Sequence, residues 1–377
     1  MYKKLLALSM FSGTIIGVGL FGLPYVTAQV GFITMLLYFL IFGTIMITIQ
    51  LIYGEITLRT VENHRLPGYS KIYLNKWAEK ISYITTCVGL TGALLAYIVV
   101  GGEFLAGLLI PIFGGTAFIY SIIFFVLGSA VIFLGAGPVS KTEFFSLGLF
   151  FAILAVLFFK VIPHLDFEHF TAISINAKNF LLPYGVILFS LGGMAVVPEI
   201  EEILKGKEKS VKNIIIIGTI IPIITYMIFN ITIYGVTGAE TTQEGMVGLN
   251  NAIGGGIVQL GFIFGIITTF TSFLTLGITL KKEFRFDLGL PAWLAWILAC
   301  APAFILFLLG LRQFINIIGF IGAVTLGIDI VMIMLIYLKA KKKSQVVPPY
   351  AMNIPKPVVY SLIALFLVGV ILQFLPV

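Results

Sequence analysis

Gly13-Thr-Ile-Ile-Gly-Val-Gly-Leu-Phe-Gly-Leu-Pro24 is the stretch whose reading decides the fold. It lies within an apolar run, Leu5 to Ala28, long enough to cross a membrane as a helix. Four glycines and a proline in 12 residues oppose a continuous helix. Glycine gives up more backbone entropy than other residues, and proline lacks the amide donor. Inside a bilayer, interrupted backbone survives only where protein or a polar cavity surrounds it. Helices broken at mid-membrane build the substrate and ion sites of many secondary transporters. A competing reading is a close helix–helix contact, with Gly13 and Gly17 as a small-xxx-small pair. The rest of the chain favours the break.

Composition sets the class. The 377 residues are 59% hydrophobic and 10% charged, with a mean hydropathy of +1.11. Apolar runs of about 20 residues alternate with charge clusters, which predicts an all-α polytopic membrane protein. No cleavable signal peptide is expected, because the apolar run behind Lys3 and Lys4 is too long and lacks a small-residue cleavage site. Cys87 and Cys300 fall within expected spans, as small packing residues. No P-loop is present, so ATP-driven transport is not indicated.

Eleven spans are predicted, at about 5–28, 31–58, 82–110, 117–136, 142–163, 179–203, 213–237, 255–280, 292–310, 314–338 and 357–376. With the N-terminus inside, all of the 23 Lys and Arg except Lys160, Lys178 and Arg312 fall on the inner side. The net charge of +7 is thus a topology signal and not a nucleic-acid footprint. The expected location is the cytoplasmic (inner) membrane, multi-pass, with the N-terminus cytoplasmic and the C-terminus opposite. Residues 59–81, broken by Leu66-Pro-Gly, are expected to form an interfacial piece through Tyr69, Ile72, Tyr73 and Trp77. The loop 238–254, with Glu240, Glu244 and no basic residue, is expected to act as a lid.

A second interruption lies in the sixth span, Leu188-Phe-Ser-Leu-Gly-Gly-Met-Ala-Val-Val-Pro-Glu199. The first span enters from inside and the sixth from outside. Interrupted helices at matching places in oppositely oriented halves point to an inverted repeat with a midplane site. The expected layout is a first repeat at 1–163, a second, inverted repeat at 164–338, and a linker with an eleventh helix at 339–377.

Gly13-Thr-Ile-Ile-Gly-Val-Gly with Leu23-Pro24, Leu95-Ala-Tyr-Ile-Val-Val-Gly-Gly102 and Thr271-Ser-Phe-Leu-Thr-Leu-Gly277 resemble a known group. They are similar to segments of the amino acid/auxin permease group of the amino acid-polyamine-organocation superfamily. Bacterial tyrosine and tryptophan permeases are the nearest likeness. The resemblance implies a five-plus-five inverted-repeat transporter fold and symport of a neutral or aromatic amino acid. It places the substrate among Ile15, Gly17, Val18, Gly19, Tyr97, Phe189, Ser190, Gly192 and Gly193. Free N–H groups at Gly17–Gly19 would take the carboxylate, as half-helix N-termini attract anions. Tyr97 would close over the substrate; its other reading is an ordinary packed tyrosine.

For coupling, the carbonyls of Gly13 and Ile16 with Thr268, Thr271 and Ser272 could supply a sodium ion with five oxygens. The three side chains share one helical face. Their alternative is hydrogen bonding to their own helix. A proton route would use Glu103 or Asp329, carboxylates inside apolar spans. Lys160 lies near a span end and is expected to snorkel outward. No other cofactor is expected, and no enzyme, since His64, His164 and His169 fall in loops without a nucleophile or metal cluster. The partners implied are an amino acid, Na+ or H+, and the bilayer. A transporter-like amino acid sensor without turnover is the rival function.

Overall fold

The computed structural model describes residues 2–135, 139–171, 181–253 and 256–374. The expected starts of the sixth and eighth spans, at 179 and 255, lie outside the described residues. Among the described residues, seven helices are long and apolar enough to cross a membrane: Phe32–Leu58, Lys76–Phe113, Ala117–Leu134, Leu147–His164, Glu208–Glu240, Gln259–Arg285 and Phe314–Ala340. The first span is two half-helices, Tyr2–Ile15 and Gly19–Val30, bent by 47°. The sixth is also divided, into Leu182–Ser190 and Val197–Ile203. Two shorter apolar helices, Ala292–Leu308 and Lys356–Leu372, are the ninth and eleventh spans.

The divided first and sixth spans lie side by side and pack on the seventh, while the third span packs against the fourth, eighth, ninth and tenth. The second half of the first span and the third, seventh and eighth spans meet in an aromatic cluster. Phe21 contacts Phe104, Phe229 and Phe264 edge-on, with centroids 4.6, 5.6 and 6.1 Å apart. Edge-to-face pairs of this kind stabilise beyond their buried area.

Gly31 alone joins the first span to the second, with φ of 85°. That left-handed backbone suits glycine and strains residues with a Cβ. The sixth and tenth spans also meet through glycines. A Cβ on Gly185 would approach Gly319 Cα to 3.0 Å, and one on Gly322 would approach the Phe189 amide nitrogen to 2.8 Å. Small residues let membrane helices touch backbone to backbone. Facing this contact, the tenth span widens into a π-turn over Ile321–Leu326. Such turns cluster at functional sites.

The interfacial piece departs from expectation. Its helix is only Leu66–Tyr73, and Trp77 already belongs to the third span. Tyr69 and Tyr73 are fully buried. Tyr69 packs edge-on against Tyr53 at 5.8 Å, and the Tyr73 hydroxyl lies 2.9 Å from that of Thr60. Aromatic spacing among lysines has the same look whether a helix floats on lipid or folds back into protein.

The linker after the tenth span is a strap across the ends of the second and tenth spans. The Gln345 amide donates to Arg59 O at 3.0 Å, the Tyr350 hydroxyl to Leu51 O at 2.9 Å, and the Met352 amide to Glu55 Oε2 at 2.5 Å. Glu55 is buried and also accepts from Arg59 Nε at 2.8 Å. The Tyr337 hydroxyl closes the strap by donating to Met352 O. The strap, the loop at 59–65 and the loop at 204–210 share one end of the bundle, here termed the basic face; Lys3 Nζ reaches Lys205 O there at 3.4 Å.

Gly322→Ala should lower stability by about 1–3 kcal/mol, the usual cost of overpacking. A thermal unfolding scan in detergent reads this as a lower Tm. Gly148→Ala, inside the fifth span where a Cβ would meet nothing within 4 Å, should not lower Tm and is expected to raise it slightly.

Candidate functional site

Each break frees backbone groups, and the site is built from how they are satisfied. The first half-helix ends at Ile15, where Gly17 N–H turns back to Ile15 O at 2.8 Å. Val18 N–H reaches only the Tyr97 hydroxyl oxygen, at 3.4 Å. Gly19 then opens the second half-helix, whose Leu20 and Phe21 amides donate back to Gly17 O at 3.2 Å and Val18 O at 3.1 Å. In the sixth span the helix stops at Ser190, whose hydroxyl donates to Val186 O at 2.7 Å.

One side chain joins the two breaks. The buried Tyr226 hydroxyl, from the seventh span, lies 2.5 Å from Ile15 O and 2.8 Å from Ser190 O. A hydroxyl has one proton, so it satisfies one carbonyl at a time. The other is left for a second donor. Leu191 O is met by Gln50 Nε2 at 2.9 Å, and Gln50 Oε1 accepts the Thr219 hydroxyl at 2.6 Å. Gln50 is fully buried in the second span. The second, sixth and seventh spans are thereby tied together at the level of the break.

Between the breaks lies a cavity of about 150 Å³. Ile15, Gly17, Gly19, Tyr97, Phe189, Ser190 and Gly192 all line it. The structure therefore brings seven of the nine expected substrate residues to one wall. Val18 is buried and contributes its amide rather than a surface. Gly193 is turned away, since a Cβ there would lie 2.8 Å from the Ile15 side chain and 3.2 Å from Phe11. Away from the basic face, the aromatic cluster of Phe21 lies over the site. Gly245 packs on that residue, where a Cβ would meet Phe21 O at 3.0 Å, and the next helix, Met246–Ile253, seats Met246 and Leu249 fully buried. Toward the basic face the cavity continues past Thr85, Asp329 and Tyr53 to Arg65 and Glu283. There Arg65 pairs with Glu283 at 3.0 Å and with Glu199 at 3.7 Å. Beyond the pair lies a vestibule of about 1220 Å³ that shares Arg65, Pro67 and Glu283.

Gly13, Ile16, Thr268, Thr271 and Ser272 come together in a second, separate cavity of about 30 Å³, closed by Leu147 and Phe150. That is room for one water-sized body. The Thr268 and Thr271 hydroxyls donate to Phe264 O at 3.0 Å and Ile267 O at 2.9 Å. Their lone pairs remain available. Neutral oxygens without a carboxylate suit a monovalent, hard cation. Of the two candidate carboxylates, Asp329 lines the main cavity and accepts from the Thr85 hydroxyl. Glu103 is half-buried and borders none of the cavities described above. Lys160 is exposed.

Two divided spans clasped around a central cavity define the five-plus-five inverted-repeat transporter fold. Solved structures share this fold. MhsT in complex with L-phenylalanine superposes with a TM-score of 0.72 at 15% identity, covering 98% of this chain and 97% of that one. The Eremococcus coleocola manganese transporter, in complex with an aromatic bis-isothiourea substituted compound, gives 0.71 at 16% identity over 99% and 87%.

The chain belongs to the tryptophan/tyrosine permease family, whose model matches residues 2–374. It is 23% identical to the tyrosine-specific transport system 1 of Haemophilus influenzae over 72% of this chain and 70% of that protein. It is 24% identical to glutamine transporter 2 of Aliivibrio fischeri over 89% of both. These relatives are transport systems, not enzymes.

Tyr226→Phe removes the one side-chain donor that the Ile15 and Ser190 carbonyls share. A loss of about 1–3 kcal/mol is expected, read as a lower Tm, with weakened ligand binding in calorimetry. An unchanged Tm and affinity would mean that the hydroxyl does not hold the breaks.

Proposed function

We propose that this protein is a symporter of aromatic amino acids, coupled to sodium and working by alternating access. The observation that carries the reading is the placement of two cavities at one broken helix. One lies on the Gly17–Gly19 side with Tyr97 and Phe189, and the other on the Gly13 and Ile16 side with three hydroxyls. The substrate carboxylate docks on the amides at Val18 and Gly19, beside the Tyr97 hydroxyl. The ammonium takes whichever of the Ile15 and Ser190 carbonyls Tyr226 leaves free. The side chain lies against Phe189, Ala93 and Gly192, which are apolar or small and suit a ring. Two relatives named as tyrosine-specific transport systems support an aromatic substrate, whereas the glutamine transporter warns that the family scaffold also serves polar side chains.

Sodium between Gly13, Ile16, Thr268, Thr271 and Ser272 would bridge the first span to the eighth, so ion binding and substrate binding stabilise the same broken helix. The basic face is the cytoplasmic one by its Lys/Arg content. The repeats at 1–163 and 164–338 supply the first and sixth spans in opposite orientation. The first, second, sixth and seventh spans rock against the remainder. Arg65 then has a defined place in the cycle: it links Glu199 on the sixth span to Glu283 at the end of the eighth. Opening toward the basic face requires at least one of those pairs to part.

Thermal shift of the purified protein with an amino acid panel, with and without sodium and at two pH values, tests the reading. Stabilisation by tyrosine, tryptophan or phenylalanine that strengthens with sodium is expected. Stabilisation indifferent to sodium but dependent on pH would pass coupling to Asp329. Gly17→Ala should weaken that stabilisation about tenfold or more in ligand concentration, because its Cβ would lie 2.5 Å from the Tyr97 hydroxyl and displace it. Arg65→Ala should raise the labelling rate of a cysteine placed at Thr85, reporting a path opened from the basic face.

A further inference from the structure

The part of the cavity beyond the substrate position has a chemistry of its own. On the third span, Tyr97 and Thr85 are separated by more than three turns, about 18 Å at the helical rise. An amino acid carries its carboxylate and ammonium on the same carbon. A molecule held at Gly17–Gly19 therefore cannot reach Asp329 with its ammonium.

Asp329 is nonetheless a buried carboxylate on the cavity wall. Its described partner is the neutral hydroxyl of Thr85. Among the described residues, no Lys, Arg or His forms an ion pair with it. The nearest cation along the cavity, Arg65, is already held by two glutamates. Leu90, Leu276 and Ile333 give the same cavity apolar lining, and Tyr53 lines it as well. Tenth and third spans are held in register here by close contacts: a Cβ on Gly92 would meet the Ile321 side chain at 2.7 Å, and one on Gly89 would meet Thr325 Oγ1 at 3.1 Å.

We propose that Asp329 and Thr85 form a second ligand subsite, which binds the ammonium of a primary amine with an apolar body. A buried charge needs a partner or proton to be tolerated, and a cavity-facing carboxylate with apolar walls takes a cation that brings its own hydrocarbon. Two sources of such a cation exist. One is a free amine without a carboxylate, which has nothing to offer Gly17–Gly19. The other is the substrate itself, on its way between the midplane and the basic face.

Titration calorimetry of purified protein with phenethylamine, which has ring and ammonium but no carboxylate, tests the subsite. Wild type is expected to bind one equivalent. Asp329→Asn should raise its Kd at least tenfold, and Leu90→Phe, which fills the subsite without touching the charge, should do the same. Tyr97→Phe should change the phenethylamine Kd less than twofold while weakening phenylalanine. Gel filtration confirms that each variant is folded. The proposal is overturned if phenethylamine does not bind, if both subsite variants bind it as wild type does, or if Tyr97→Phe weakens it as much as they do. A phenylalanine titration separates the sources. A second equivalent that disappears in Asp329→Asn supports the subsite as a station for the substrate, and a single equivalent with phenethylamine still bound supports it as a site for free amines. The subsite stands or falls separately from the symport reading, because phenethylamine binding requires neither sodium nor the helix breaks.

Discussion

A single hydroxyl lies between the two carbonyls that the broken spans expose. Breaking a helix in a membrane leaves polar backbone in a place where water cannot serve it. Tyr226 stands within reach of a carbonyl at each break and serves one of them at a time, which keeps the first, sixth and seventh spans in contact at the depth of the cavity. Gln50 extends the arrangement to the second span through Leu191 O. The four spans proposed to rock as one body are those joined by these bonds. The cavity and the remedy for the broken backbone are built from the same segments.

Much of this was legible before any coordinates. The glycines between Gly13 and Gly22 conflict with the apolar run that holds them, and that conflict marks a place where local propensity is set aside for function. The charge asymmetry counts spans because an omitted helix would scatter the lysines across both faces. The Thr268, Thr271 and Ser272 pattern forms one helical face, so its meeting with the first span needed only the correct fold. The comparison with solved transporters supports that fold over nearly the whole chain.

What stayed hidden depends on contacts between distant segments. Tyr226 sits in an isoleucine-rich run, and its acceptor Ile15 O is 211 residues away. Nothing local distinguishes it from a tyrosine that packs. Gly193 looked equivalent to Gly192, but consecutive residues in a non-helical segment face different ways, and Gly193 meets Phe11 and Ile15 instead of the cavity. The burial of Tyr69 and Tyr73 on the helix Leu66–Tyr73 is not legible for a related reason. Tyrosines at helical spacing reveal an amphipathic face but not what covers it. The π-turn at Ile321–Leu326 leaves no sequence mark, although it lies where Gly185 and Gly322 approach closely.

The joint at Gly31 carries a mechanical implication. A residue contributes two soft torsions to the backbone. Val30–Gly31–Phe32 therefore couples the second half of the first span to the second span through a single such pair. The two halves of the first span, by contrast, are separated by the three residues 16–18, with roughly six torsions between them. Compliance within the first span is thus concentrated at the cavity, while the joint at its far end is stiff. A displacement that begins at the break is passed to the second span as a crank passes rotation, with little lost in the connection.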